Sequence, residues 1–144
     1  MNPLEVSGLE LLRAIVDNRF PPSPMTETVP MRFVEVDEGR VKILARADGR
    51  HLNPLGGVHG GFASAVLDSV TGCAVHSMLE AGVGYGTIDL QVKMLRPVPR
   101  DQELVAEGNI VHVSRNLATS EGTLKSTEGK LLATATATCF LKRG

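Results

Sequence analysis

Residues 51–80, HLNPLGGVHGGFASAVLDSVTGCAVHSMLE, decide the fold. The stretch opens as a polar loop rich in glycine. From residue 61 it becomes a run of Ala, Leu, Val and Met without proline or strand-type alternation, which predicts a helix of about five turns over 61–80, with Gly72 as its weak point. A helix that is apolar on nearly every side cannot lie on the outer face of a sheet. It must be wrapped by the sheet or covered by a partner subunit.

Outward from this helix the chain reads as strands. MRFVEVDEGRVKILARA, beginning at Met31, holds two alternating runs around DEGR, and Gly39 supplies the permissive backbone of a hairpin. After the helix come YGTIDLQVKML, QELVAEGNIVHVS, NLATSEGTLKST and KLLATATATCFLK, separated by RPVPRD, SRN and TEGK, all with turn chemistry. The last run alternates Thr134, Thr136 and Thr138 with Ala133, Ala135, Ala137 and Cys139, so both faces of that strand are small. Residues 4–17 carry apolar side chains at mostly helical intervals and predict a short amphipathic helix. The prolines of PPSPMTETVP, 21–30, make it a connector. The expected fold is α+β, six strands about one long central helix, as a single domain over 1–144.

Composition excludes several function classes. The chain has 144 residues, and a chain of this length buries roughly two thirds of its unfolded surface in one core without staples. A formal net charge of −1 gives no basic excess for gripping a phosphate polymer, and 3% aromatic residues with no Trp leave few rings for stacking bases. Nucleic acid is therefore not an expected partner. Glu5, Glu10, Arg13 and Asp17 break the N-terminal apolar pattern, so neither a signal peptide nor a membrane span is expected, and the cytoplasm is the expected location. Cys73 and Cys139 lie in apolar stretches and read as reduced core residues. His51, His59, His76 and His112 lack the spacing of a zinc site, so no metal is expected.

Asp68 is the one formally charged side chain between Gly60 and Val75. A carboxylate out of water is costly unless paired, and no Lys or Arg lies within two turns. Either it occupies a solvent-facing stripe, hydrogen-bonding Ser64 or the Gly72 backbone, or it serves a ligand. The loop NPLGGVHGG offers the Asn53 amide and glycines that let a ligand approach the backbone, while the Gly60 and Gly61 amides lie at the positive end of the helix dipole, where they can polarise a carbonyl. The same loop also reads as a turn that needs glycine, with His59 as helix cap.

Asn53, then HGG at 59–61, then Asp68, then a strand opening at Thr87 in YGTIDLQVKMLRPV, resembles the hotdog-fold acyl-CoA thioesterases of the phenylacetyl-CoA and 4-hydroxybenzoyl-CoA type, over about 30–142. The resemblance implies a strongly curved antiparallel sheet around the central helix, homodimers with a continuous sheet, and tetramers of two such dimers. It implies Asp68 as general base or nucleophile, Gly60 N–H as oxyanion donor, Asn53 as the amide near the thioester carbonyl and Thr87 as the hydroxyl that positions water, with His59 in the same catalytic group. Relatives with Glu at the helix position often carry Thr one turn later. Here that position is Gly72, which favours the branch with Asp on the helix and a hydroxyl on the next strand.

Geometry adds a constraint. Gly60 and Asp68 are eight residues apart, roughly 12 Å along a helix, too far for both to touch one thioester. If they act together, each must come from a different subunit, giving two equivalent sites per dimer. Coenzyme A, as part of the substrate and not a cofactor, would be met by Arg96 and Arg100 of RPVPR and by Arg115 and Asn116 of SRN, with Lys93 and Lys125 weaker candidates. The acyl chain would lie near Ala63, Ala65 and Leu67. Burial would raise the pKa of Asp68 and suit a base. Two other readings stay open: a hotdog hydratase or dehydratase pairing His59 with Asp68 across subunits, and a non-catalytic acyl-CoA-binding module.

Overall fold

The computed structural model describes all residues, Met1–Gly144. Two helices, α1 (Gly8–Val16) and α2 (Met25–Thr28), precede the hairpin β1 (Met31–Asp37) and β2 (Arg40–Ala45). A single 3₁₀ turn, Gly49–His51, leads to α3 (Gly60–His76), followed by β3 (Gly84–Met94), β4 (Leu104–Val113), β5 (Leu117–Ser126) and β6 (Leu131–Lys142). The six strands form one antiparallel sheet in the order β1-β2-β4-β5-β6-β3. This is the expected α+β architecture, with α3 packed against β2, β3, β4, β5 and β6. Gly39 turns the hairpin at φ +83°, a left-handed angle that glycine adopts without steric cost.

The hydrophobic effect places α3. Val66, Leu67 and Val70 are fully buried and meet Val41, Ile43, Leu104, Ala106 and Leu124 from the sheet; each large side chain buried this way contributes about 1.5–3 kcal/mol. Where the helix crosses the sheet, Gly108 and Gly122 face each other across β4 and β5. A Cβ on Gly108 would lie 2.2 Å from the Val70 carbonyl oxygen, and one on Gly122 would lie 3.0 Å from Thr71 Cγ2. The glycine pair therefore lets helix backbone approach sheet backbone, and Ser120 Oγ fixes the contact by donating to the Thr71 carbonyl at 3.0 Å.

Two helix boundaries differ from the sequence expectation. The long helix ends at His76 and not at residue 80, because Ser77 is buried at its C-cap, donates from Oγ to the Ala74 carbonyl (2.7 Å) and accepts the Gly39 N–H (2.8 Å). The hairpin turn is thus tied to the helix end. The N-terminal helix begins at Gly8 and not at residue 4, because Ser7 caps it, its Oγ accepting the Glu10 N–H at 3.2 Å. The proline-rich connector also holds the one-turn α2. No helix is long and apolar enough to cross a membrane.

β3 is an edge strand eleven residues long, hydrogen-bonded to β6 on one side only. Its register shifts between Thr87 and Asp89, leaving Ile88 as an extra residue. The bulge changes which alternate residues face α3: Tyr85 and Thr87 before it, Leu90 and Val92 after it.

Candidate active site

The site candidates separate into two groups at different parts of the chain. The first surrounds the N-terminus of α3. His59 is the N-cap, in extended backbone (φ −62°, ψ 138°), and its Nδ1 accepts the Gly61 N–H at 2.7 Å. That bond fixes the neutral tautomer with the proton on Nε2. Gly60 is the first helical residue, and its N–H donates to no group of the chain, so one uncommitted donor remains at the positive end of the helix dipole. Asn53 organises the loop: its Oδ1 accepts the N–H groups of Leu55 (3.0 Å) and Gly57 (3.2 Å), and its N–H donates to the Gly57 carbonyl (2.7 Å). Engaging Oδ1 this way leaves Nδ2 as the free donor. Gly56, at φ +91°, is the loop glycine that the backbone requires.

This loop stands on a fixed base. His51 accepts the Asp48 N–H at Nδ1 (2.9 Å), donates from Nε2 to the Thr28 carbonyl (2.8 Å), and packs its ring 5.1 Å from that of Phe62. The Arg50 guanidinium and N–H hold the Asp48 carboxyl well below the usual carboxylate range, so this cap stays ionised. Beside Gly60 and His59 lies a hollow of about 260 Å³, bounded also by Ala63, Met94, Arg96 and Leu132.

The second group lies farther along the exposed stripe of α3. Asp68 is exposed in its own chain, on the solvent-facing stripe that is one of the two readings the sequence leaves open. Its side chain belongs to no salt bridge within the chain. Ser64 Oγ donates instead to the Gly60 carbonyl (3.1 Å). Asp68 and Thr87 line one cavity of about 290 Å³, together with Gly72, Cys73, His76 and Tyr85 and apolar residues of α1 and β1. Thr87 Oγ1 is 3.8 Å from Cys139 Sγ, and the β3 bulge keeps Thr87 on this side of the strand.

Burial pushes the Cys73 thiol up to about 12, with the Tyr85 hydroxyl opposing that rise. Burial also raises the Tyr85 phenol and the Cys139 thiol and lowers His76. All four are uncharged near neutrality. Asp68 is then the one formally charged side chain lining the cavity. The sequence assigns no site role to Tyr85, Cys73 or His76, reading Cys73 as a core thiol and His76 only as no part of a zinc site, although a signal is present: Tyr85 is two residues before Thr87, hence on the same strand face, and His76 is two helical turns beyond Asp68.

The residues considered for coenzyme A are not brought together in one chain. Arg96 and Arg100 follow β3, near the α3 N-terminus, while Arg115 and Asn116 form the β4–β5 turn beside the end of β6 that pairs with the start of β3. The length of β3, roughly 35 Å, lies between the two groups. Arg96 donates to the Leu131 carbonyl (2.9 Å), Arg100 pairs with Asp101 (2.9 Å), and the Arg115 carbonyl accepts from Arg143 (2.8 Å). Lys93 points to the outer face of the sheet, where a hollow of about 520 Å³ is lined by polar side chains such as Gln91, Glu121 and Thr136, away from both groups above. Lys125 lies on β5, paired with Val105.

The family model that matches the chain is that of the thioesterase superfamily, over residues 55–133, more than half of its length. Among curated proteins, a candidate esterase of Halobacterium salinarum is 40% identical over 68 residues, covering 46% of this chain and 44% of that protein. Acyl-coenzyme A thioesterase 13 of Mus musculus is 28% identical over 89 residues, covering 61% of this chain and 63% of the mouse protein. In both cases the chain spans less than two thirds of the relative. Among solved structures, a candidate thioesterase of Ralstonia eutropha JMP134, a phenylacetic acid degradation-related protein, superposes with a TM-score of 0.81 at 33% identity, covering 90% of this chain and 98% of that one.

Proposed function

The chain belongs to the thioesterase superfamily, and we propose that it hydrolyses acyl-CoA thioesters, in the manner of the phenylacetyl-CoA and 4-hydroxybenzoyl-CoA type, at two composite sites of a homodimer. The observation that carries this reading is the division of the chemistry along α3. An uncommitted N–H sits at Gly60, and a carboxylate with a hydroxyl, Asp68 and Thr87, lines a separate cavity beside the unpaired edge of β3. An eleven-residue edge strand with exposed Ile88 is a template for pairing with another strand. Antiparallel pairing with the β3 of a second copy would continue the sheet. It would also bring the Gly60 end of one α3 toward the Asp68 stripe of the other, and Arg96 and Arg100 of one subunit toward Arg115 and Asn116 of its mate. The partner then supplies the desolvation that Asp68 lacks in its own chain.

In this arrangement the thioester carbonyl accepts hydrogen bonds from Gly60 N–H and Asn53 Nδ2 of one subunit, so charge developing on oxygen meets fixed donors. Asp68 of the other removes a proton from a water held by Thr87 as that water attacks the carbonyl carbon; alternatively its carboxylate attacks directly and the anhydride is hydrolysed. Collapse of the tetrahedral species breaks the C–S bond and releases the free acid and CoA thiolate, which takes up a proton. His59 shapes the donor loop as cap. No cofactor enters the scheme, and tetramers of two dimers are compatible with it. A panel of acyl-CoA substrates, read by a thiol-reactive dye with wild type beside Asp68→Asn, tests the proposal. Thiol release by wild type, reduced at least ~10²-fold in the variant, supports it, and equal rates would end it.

A further inference from the structure

We propose that Met94 is an oxidation site that governs the Gly60 donor: oxidation of its thioether to the sulfoxide sets a strong hydrogen-bond acceptor against the Gly60 N–H and closes that donor to a thioester carbonyl. The inference rests on the thioesterase reading above. It goes beyond that reading, since it concerns how the donor is switched off and not what it serves.

Met94 ends β3, and the backbone around it is tied down. It pairs with Ala133, and the N–H groups of Leu95 and Arg96 both donate to the Leu132 carbonyl, at 2.8 and 3.1 Å. The alternation that turns Leu90 and Val92 toward α3 continues to Met94, so its side chain reaches the N-terminus of that helix. A Cβ on Gly60 would lie 2.8 Å from Met94 Sδ. Any Cβ stands about 2.5 Å from the nitrogen of its own residue, so the sulfur is at most about 5.3 Å from the Gly60 nitrogen. Met94 is 54% exposed and borders the hollow of about 260 Å³ beside Gly60, so a small oxidant reaches it.

The state of the donor depends on this sulfur because the hollow offers no competing side-chain acceptor. His59 Nδ1 is engaged by the Gly61 N–H and its Nε2 carries the proton, Arg96 only donates, and apart from Met94 the other side chains are hydrocarbon. A thioether is a weak acceptor and leaves the Gly60 N–H free. A sulfoxide oxygen stands one bond beyond the sulfur, and the three rotatable bonds of the side chain let it swing to within hydrogen-bonding distance.

The step balances with a peroxide as oxidant. The sulfur lone pair attacks one oxygen of hydrogen peroxide, the S–O bond forms as the O–O bond breaks, and the departing hydroxide takes the proton left on the transferred oxygen. Sulfur loses two electrons, peroxide is reduced to water, and methionine sulfoxide reductase reverses the change. The two thiols compete poorly, since burial pushes Cys73 up to about 12 and raises Cys139, leaving little thiolate near neutrality.

Wild type and Met94→Leu are treated with hydrogen peroxide, and peptide mass spectrometry reads which methionines gain oxygen. Met1 and Met25 are exposed and line neither hollow, so their oxidation in both proteins is the internal control. Two readouts follow: kcat for phenylacetyl-CoA before and after treatment, and the rate at which the Gly60 amide exchanges with water in isotopically labelled protein. The expected results are a loss of kcat of at least ~10-fold in wild type, restored by the reductase, against less than ~2-fold in Met94→Leu, with Gly60 exchange slowed at least ~10-fold in oxidised wild type. Met94 left unoxidised, unchanged exchange at Gly60, or equal loss of turnover in the two proteins overturns the proposal. If no thioester is hydrolysed at all, the thioesterase reading fails separately, and exchange at Gly60 still decides whether the sulfoxide takes the donor.

Discussion

Replacing Gly60 by proline removes the proposed oxyanion donor while keeping the helix that carries it. Gly60 is the first residue of α3, where proline is favoured because the N–H lacks an intrahelical partner and φ near −65° is already required. The residue before a proline must be extended, and His59 is, at ψ 138°. No hydrogen bond within the chain is lost, since the Gly60 N–H makes none. One adjustment is needed: an added Cβ would lie 2.8 Å from Met94 Sδ and 2.9 Å from its Cε, the flexible end of an exposed side chain. Gly60→Ala makes the same demand on Met94 but keeps the N–H, so it isolates the donor. Loss of one such donor costs about 10²–10³ in kcat, equivalent to about 2.7–4 kcal/mol of transition-state stabilisation. The expected result is Gly60→Pro slower than Gly60→Ala by that factor, with thermal midpoints alike for the two. Equal turnover would refute Gly60 as oxyanion donor.

Other outcomes follow from the same geometry. Asp68→Asn should lower kcat at least ~10²-fold without lowering the thermal midpoint of the protein, because the carboxylate is exposed in its chain and belongs to no salt bridge; calorimetry beside steady-state kinetics checks both. Gly108→Ala should cost about 1–3 kcal/mol or more in urea denaturation, since its Cβ would meet the Val70 carbonyl, which is backbone and cannot swing aside. Burial lowers the pKa of His76 below its ordinary 6.5. The unfolded chain therefore binds a proton that the folded one resists, and this residue's contribution is intact above about pH 6.5 and declines as the pH falls below it. Urea denaturation at pH 7.5 and 5.5 should show wild type losing more stability on acidification than His76→Gln, and equal losses would contradict the assignment.

The fold was legible because its main signals are local. An apolar run with no proline and no period-2 alternation left α3 one option, and Gly39 and the Thr/Ala alternation of β6 declared the hairpin and a strand. Helix ends were less legible, since Ser77 ends α3 through a bond to Gly39, thirty-eight residues away, which no local pattern encodes. The Gly108 and Gly122 pair was hidden for the same reason: each glycine alone weakens a strand, and their purpose exists only where α3 crosses them. Asp68 stood out as a lone charge, but spacing alone left a solvent-facing stripe and a ligand role equally open; the chain by itself leaves the residue exposed. Tyr85, His76 and the α1 wall of the cavity depend on which elements meet in space, so alternation could have flagged Tyr85 but could not have placed Leu11 or Ile15 opposite it.

The claim that each site is shared between two chains can be tested by mixing. Chains carrying Asp68→Asn are unfolded and refolded together with chains carrying Gly60→Pro, and turnover is compared with that of each variant alone. A mixed dimer would hold one site with both defects and one with neither, so random pairing restores about a quarter of wild-type activity. Activity remaining at the level of the separate variants, with mixed dimers shown to have formed, would contradict the composite site.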